Sequence, residues 1–186
     1  MYIKPQVHSS YQKNNLGLDI YNTIISLRPQ RVVEFGILHG YSTFCIAQAL
    51  RDLNLGGTLI SYDLFDEFEY KHGSKKEAED LITKYNLQDI VTIKYGDFYK
   101  WSENPDEFDL LHLDIANDGD VIKFVSEKFE NKHILFEGGS EERDKESWMK
   151  KYKKTSMYPL KDKLNYEILN KKWPSISLIK GKNVTI

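Results

Sequence analysis

The stretch RVVEFGILHGYSTFCIAQAL, residues 31–50, decides the fold. Arg31, Val32 and Val33 begin a short β-branched run that carries Glu34 and stops at Gly36, with Gly40 four residues later. Tyr41, Ser42 and Thr43 then open a segment whose apolar positions Phe44, Cys45, Ala47, Ala49 and Leu50 read as a helix. Strand, glycine loop and helix in this order make the unit that places a nucleotide-like ligand at the carboxyl edge of a parallel sheet. Glycine is required where the chain turns sharply and a ligand approaches bare backbone. The start of the helix offers unpaired N–H groups to an electron-rich partner.

The same alternation runs outward along the chain. Leu16 to Leu27 has the apolar spacing of an amphipathic helix, and Pro29 ends it. Gly56-Gly57 reads as the stop of the helix that begins at Tyr41, followed by a second strand from Thr58 to Leu64. Ser74 to Asn86 fits a surface helix buried through Ala78, Leu81, Ile82 and Tyr85, and Val91 to Tyr95 a third strand. Asp109 to Ile115 is a nearly continuous apolar run, as a central strand covered on both faces should be. A helix from Asp120 to Phe129 turns Val121, Phe124, Val125 and Phe129 inward, and His133 to Phe136 makes a fifth strand. A charged helix comes next, from about Ser140 to Lys151; Asn165 to Leu169 and Ser175 to Ile179 then alternate as an antiparallel hairpin. The expected fold is a doubly wound, Rossmann-like α/β sheet of seven strands, mostly parallel, with a C-terminal antiparallel hairpin. Residues 1–15 are polar and read as a loosely held arm, and residues 16–186 as a single domain.

Composition narrows the function classes. A chain of 186 residues with 40 % hydrophobic and 29 % charged residues is ordinary for a globular domain of this size. The 26 basic and 28 acidic residues nearly cancel, which argues against nucleic-acid binding by bulk attraction to phosphate. One cysteine excludes an internal disulfide and a thiolate metal cluster, and Cys45 falls on an apolar helix stripe as a small hydrophobe. No apolar signal region and no membrane-length run occurs, so the expectation is a soluble, cytoplasmic protein without a membrane partner.

The informative pattern is what closes the strands. Strand one carries Glu34, strand two ends at Asp63, strand three at Gly96-Asp97, strand four at Asp114 and strand five at Glu137. A carboxylate at the edge of a buried sheet tends to find a partner, because desolvating it alone is costly. Five in one row suggest a ligand rich in hydroxyls and amines, with a positive centre or a metal.

On these residues the chain resembles the class I S-adenosylmethionine-dependent methyltransferases, over nearly its whole length from Leu16 to Ile179. Glu34-x-Gly36-x-x-x-Gly40 followed by Ser42 is similar to the first motif of that family and departs from the dinucleotide pattern G-x-G-x-x-G. The resemblance implies that Asp63 holds the ribose hydroxyls, that Gly96-Asp97-Phe98 receives the adenine with Asp97 accepting from its amine, and that Asp114 faces the transferred methyl group. It also implies S-adenosylmethionine as cofactor, S-adenosylhomocysteine as product, and a hydroxyl or amine of a small molecule as acceptor.

Some small-molecule O-methyltransferases of this type hold magnesium with acids after strands four and five. Here Gly138 stands where a second side-chain ligand is expected, with Asn117, Asp118 and Glu141 as substitutes; magnesium is open but not favoured. The catalytic candidates are Asp114, Glu137 and His39, with His8 on an arm able to fold over the site. His112 reads as a core residue, and His72 and His133 as surface. Arg143 is a candidate for an anionic substrate, and Trp148 for core or lid. The chain is short enough that its acceptor pocket draws on the arm, on the strand-four and strand-five loops, or on a second subunit of a homo-oligomer. Two other readings remain beside these: a scaffold that kept the cofactor pocket without catalysis, and a nicotinamide-dependent enzyme, against which the glycine spacing counts.

Overall fold

The computed structural model describes residues 1–67 and 73–182; His72 lies outside them. Seven strands form one sheet in the order β3-β2-β1-β4-β5-β7-β6. In chain order these are β1 (Arg31–Phe35), β2 (Thr58–Asp63), β3 (Val91–Tyr95), β4 (Leu110–Leu113), β5 (His133–Glu137), β6 (Tyr166–Asn170) and β7 (Ile176–Ile179). The first five are mutually parallel, and β7 pairs antiparallel with both β5 and β6. The order reverses between β1 and β4, so the loops after these two strands diverge and leave a crevice at their carboxyl ends.

Strand parity assigns the two faces. Val32, Leu59, Leu110 and Leu135 pack with the helices α1 (Leu16–Leu27), α2 (Tyr41–Leu53) and α3 (Lys75–Lys84). Val33, Phe35, Leu111, Leu113, Ile134 and Phe136 pack on the opposite face with α4 (Phe98–Glu103) and α5 (Gly119–Lys128). The register pairs Glu34 with His112 across β1 and β4, so Glu34, His112, Asp114 and Glu137 all fall on the α1/α2 side. Arg143 and Trp148 stand on two short helices, α6 (Glu141–Asp144) and α7 (Ser147–Lys151), and α8 (Lys161–Leu164) precedes β6.

Several details differ from expectation. The left-handed residue that ends α2 is Asn54, not the Gly56-Gly57 pair. Phe124 stays 38 % exposed on α5 rather than turning inward. His133 is buried, its Nδ1 accepting from the Gly181 amide at 3.2 Å, and is not surface. The single helix expected after β5 is broken into α6 and α7. The arm is tied down rather than loose: the Ile3 amide donates to Gln48, Asn14 donates to the carbonyls of Lys172 and Pro174, and Tyr11 is buried. Among the described residues no helix is long and apolar enough to cross a membrane.

Candidate active site

A cavity of about 420 Å³ opens at the carboxyl ends of β1, β2, β3 and β4. Its wall is built from successive strand-to-helix loops and from one stretch of the arm, His8 to Tyr11. After β1, the chain runs Gly36, Ile37, Leu38, His39 into the first turn of α2, where Tyr41 and Ser42 reach the cavity. Gly36 has φ +95°, and a Cβ there would overlap the carbonyl oxygen of Asp114, so only glycine lets β1 and β4 close at this point.

Asp63, at the end of β2, stitches this loop in place. One of its oxygens accepts from the Ile37 and Leu38 amides at 2.6 and 3.1 Å, and the other from the Phe65 amide at 2.7 Å. A carboxylate has about four lone-pair sites, so three donors leave capacity for another. Asp97 caps α4 through one oxygen, which accepts from the Lys100 amide at 2.9 Å. Beside it, Tyr62 and Phe98 are buried around Phe35, with ring centroids 4.9 and 5.3 Å from it, and form an aromatic wall continuous with Leu64 and Tyr99.

Asp114 closes β4. Its Oδ2 accepts from the Tyr11 hydroxyl at 2.7 Å. Burial pushes the Asp114 carboxyl up from its ordinary range, opposed by that hydroxyl and by the charges of His112 and Arg143. Burial and the neighbouring acids push the Tyr11 phenol well up in turn, so it is a donor and not a phenolate. At the rim, His39 Nδ1 lies 2.7 Å from Glu77 on α3, and the His8 ring stands edge-on to it at 6.5 Å. In the neutral ring, donation from Nδ1 to Glu77 leaves Nε2 as the acceptor.

Of the expected site residues, Gly36, Ser42, Asp63, Asp97, Phe98, Asp114 and His39 line this one cavity. Glu34, Gly40 and Glu137 do not. Glu34 is fully buried beneath the glycine loop, where its carboxylate accepts from Thr43 and Ser61 at 2.6 and 2.7 Å and meets His112 Nδ1 at 3.1 Å. Although burial pushes its carboxyl up, His112 and the hydroxyls hold it below the ordinary range. Glu34 therefore ties the start of α2 to β2 and β4, and His112 is the core residue expected. Gly40 caps α2 and packs against Ala78. Glu137 turns away into an ion pair with Arg143, whose Nη2 is 2.9 Å from it and whose side chain is 0 % exposed. Arg143 is thus not available to an anionic substrate, and Trp148 covers its guanidinium at 4.1 Å rather than the cavity.

Tyr11, Tyr62 and the Ser9-Ser10 pair belong to the wall without having been singled out. Only Tyr62, flanking Asp63 at a strand end, carried a local signal.

The donors expected for a metal are held in other contacts. Both Glu137 oxygens face the guanidinium, and a side chain at Gly138 would overlap Met157. Asn117 spends its amide nitrogen on the carbonyls of Leu113 and Glu137, Asp118 caps α5, and Glu141 is exposed and paired with Lys145. Among the described residues no group of three or more His, Cys, Asp or Glu side chains is arranged to hold a metal ion.

The methyltransferase domain family matches residues 33–134, from β1 into β5. No curated protein matches the chain. Similar solved structures include the O-methyltransferase TomG of Streptomyces achromogenes in complex with S-adenosylmethionine, with 14 % identity, 94 % of this chain and 82 % of that one covered, and a TM-score of 0.63. The O-methyltransferase of Bacillus cereus in complex with S-adenosylhomocysteine is 16 % identical, with 95 % and 84 % covered and a TM-score of 0.61. An S-adenosylhomocysteine-bound methyltransferase of Podospora anserina is 20 % identical, with 95 % and 80 % covered and a TM-score of 0.60. At such identities the likeness speaks for the fold, and it is the fold that strand order and parity give. The family match spans more than half of the sequence and contains most of the cavity wall: the chain belongs to the methyltransferase domain family and is a class I methyltransferase.

Proposed function

We propose that the chain binds S-adenosylmethionine in the cavity at the ends of β1 to β4 and transfers its methyl group to a hydroxyl or amine of a small molecule. The observation that carries this reading is the convergence of Asp63, Asp97 and Asp114 with the Gly36 loop on a single hollow. The residues suit the donor. Asp63 has acceptor capacity for ribose hydroxyls, and Asp97 with the Tyr62–Phe98 wall suits a flat ring bearing an amine. The bare backbone at Gly36 and the start of α2, with the Ser42 hydroxyl, suits a methionine-like tail. When bound, the donor supplies an electrophilic methyl group on a sulfonium, open to in-line attack by a lone pair of the acceptor.

This chain's own part is positioning and proton handling. Holding two reactants in line is worth about 7–11 kcal/mol in favourable intramolecular cases. Asp114, raised by burial and steadied by Tyr11, is placed to accept a hydrogen bond from the acceptor's O–H or N–H. His39, with Nδ1 held by Glu77, is the second group able to take a proton at Nε2. The arm contributes His8 to Tyr11 to the wall of the hollow.

Melting scans test the reading directly. A ligand at about one hundred times its dissociation constant adds roughly 2.7 kcal/mol of stability. S-adenosylmethionine and S-adenosylhomocysteine should raise the melting temperature, and NAD should not. Asp97→Ala should keep the fold and lose most of that shift. Stabilisation by NAD alone, or an unchanged shift in Asp97→Ala, would sink the assignment. Turnover with a panel of phenols, sugars and amines then identifies the acceptor class.

A further inference from the structure

The ends of β4 and β5 hold a second polar cluster, which meets the cavity at Asp114. Asp114 and Glu137 come directly after the last registered pair of these strands, Leu113 with Phe136, and face the same side of the sheet. Behind them lies Arg143. Its Nε sits 3.1 Å from each Glu137 oxygen, its Nη2 2.9 Å from Glu137 and 2.8 Å from the Asn117 carbonyl, and Trp148 covers its face. The side chain is 0 % exposed. A guanidinium is not deprotonated inside proteins, so this is a permanent buried cation.

We infer that the Arg143 guanidinium occupies the ground a divalent cation would need between the carboxyl ends of β4 and β5, and that methyl transfer in this chain proceeds without a metal. A hard cation asks for several oxygen donors at once. Most oxygens within reach are already committed: both of Glu137 and the Asn117 carbonyl to Arg143, and Asp114 Oδ2 to Tyr11, which leaves Asp114 Oδ1 alone, too few for such an ion. A metal could enter only by displacing the guanidinium, leaving a second positive charge buried beside the first without a partner. Of the other acids nearby, Glu34 is engaged with His112, and Asp144 accepts from the Met157 and Tyr158 amides. The second half of the inference rests on the methyl-transfer reading, and the first half does not.

The test uses Mn²⁺ as probe on the intact protein, read by the EPR signal of the free ion and by melting temperature, neither of which involves the methyl donor. The wild type should leave added millimolar Mn²⁺ or Mg²⁺ free and show no melting shift beyond that of matched ionic strength. Arg143→Ser, which clears the guanidinium and keeps Glu137 and Asp114, should bind Mn²⁺ at least about tenfold more tightly than the wild type. The further change Glu137→Gln should abolish that gain. Saturable Mn²⁺ binding by the wild type that Glu137→Gln removes would overturn the inference, as would a folded Arg143→Ser with no gain. Should Arg143→Ser fail to fold, the wild-type titration decides alone. Once an acceptor is found, turnover should be indifferent to EDTA; loss in EDTA with recovery on adding Mg²⁺ would overturn the second half only.

Discussion

The ends of β1 to β4 and the ends of β4 and β5 begin from the same kind of residue, an acid closing a strand, and finish differently. At the first, Asp63 and Asp97 accept from backbone amides and Asp114 from a phenol, and all three face a hollow. At the second, Glu137 is filled by an arginine six positions along the chain. The difference lies in the residues just past each strand. After β1 comes a glycine loop held away by Asp63, which leaves space. After β5 come two glycines and a one-turn helix that drives Arg143 back under the sheet. Backbone amides leave a carboxylate exposed on its far side, whereas a guanidinium fork covers it. A strand-end acid that keeps an oxygen toward the hollow is a candidate ligand, and one enclosed by a guanidinium fork is a structural ion.

The strongest way to break this contrast is to remove the cation. Arg143→Met leaves Glu137 buried and unpaired, which should cost about 3–5 kcal/mol of stability. Urea unfolding measures it, and a cost below about 1 kcal/mol, within the range of surface pairs, would show the pair to be dispensable. Arg143→Met with Glu137→Met should recover most of the loss, since replacing a buried ion pair by apolar groups is often neutral.

A smaller effect sharpens the other side. Tyr11→Phe removes a hydroxyl that donates to Asp114 at 2.7 Å, a bond to a charged group worth about 1.5–3 kcal/mol. That hydroxyl favours the ionised form and opposes the upward push of burial. Without it the Asp114 carboxyl titrates higher still, so activity that needs the carboxylate should set in at higher pH. The acid limb of the pH–rate profile reads the shift; a limb that stays put would exclude Asp114 as the titrating group.

Most of the architecture was legible because periodicity reports burial directly. The bounds of α1 and β3 fall where apolar spacing and Pro29 or Gly96 put them. The helix α4 is six residues long, too short for a periodic signal, and it was not expected from the sequence. Asp63, Asp97 and Asp114 were legible because each sits at a strand end, and strand ends converge in a doubly wound sheet. What side chains do off the strand was not legible. Glu34 lies on the strand itself, one residue before its end, where Thr43, Ser61 and His112 enclose it. Tyr11 meets Asp114 across 103 residues of chain. Arg143, in the run Glu141-Glu142-Arg143-Asp144, has the local sequence of a solvated helix, and only the break between α6 and α7 buries it.

The smallest expected effect lies at the cavity rim. Glu77 is exposed, and its contact with His39 is a surface pair worth less than about 1 kcal/mol. Glu77→Gln should leave the urea midpoint nearly unchanged. Its consequence is chemical: a glutamine can offer either its oxygen or its nitrogen to Nδ1, so it no longer fixes the proton there and Nε2 is not reserved as the acceptor. If His39 takes the acceptor's proton, Glu77→Gln should lower kcat and leave the affinity for S-adenosylhomocysteine alone, while His39→Gln lowers kcat further and the double variant falls no lower than His39→Gln. Additive losses would place Glu77 and His39 in separate roles, and unchanged kcat in both would leave Asp114 as the sole proton acceptor, narrowing the chemistry to the one acid that Tyr11 holds.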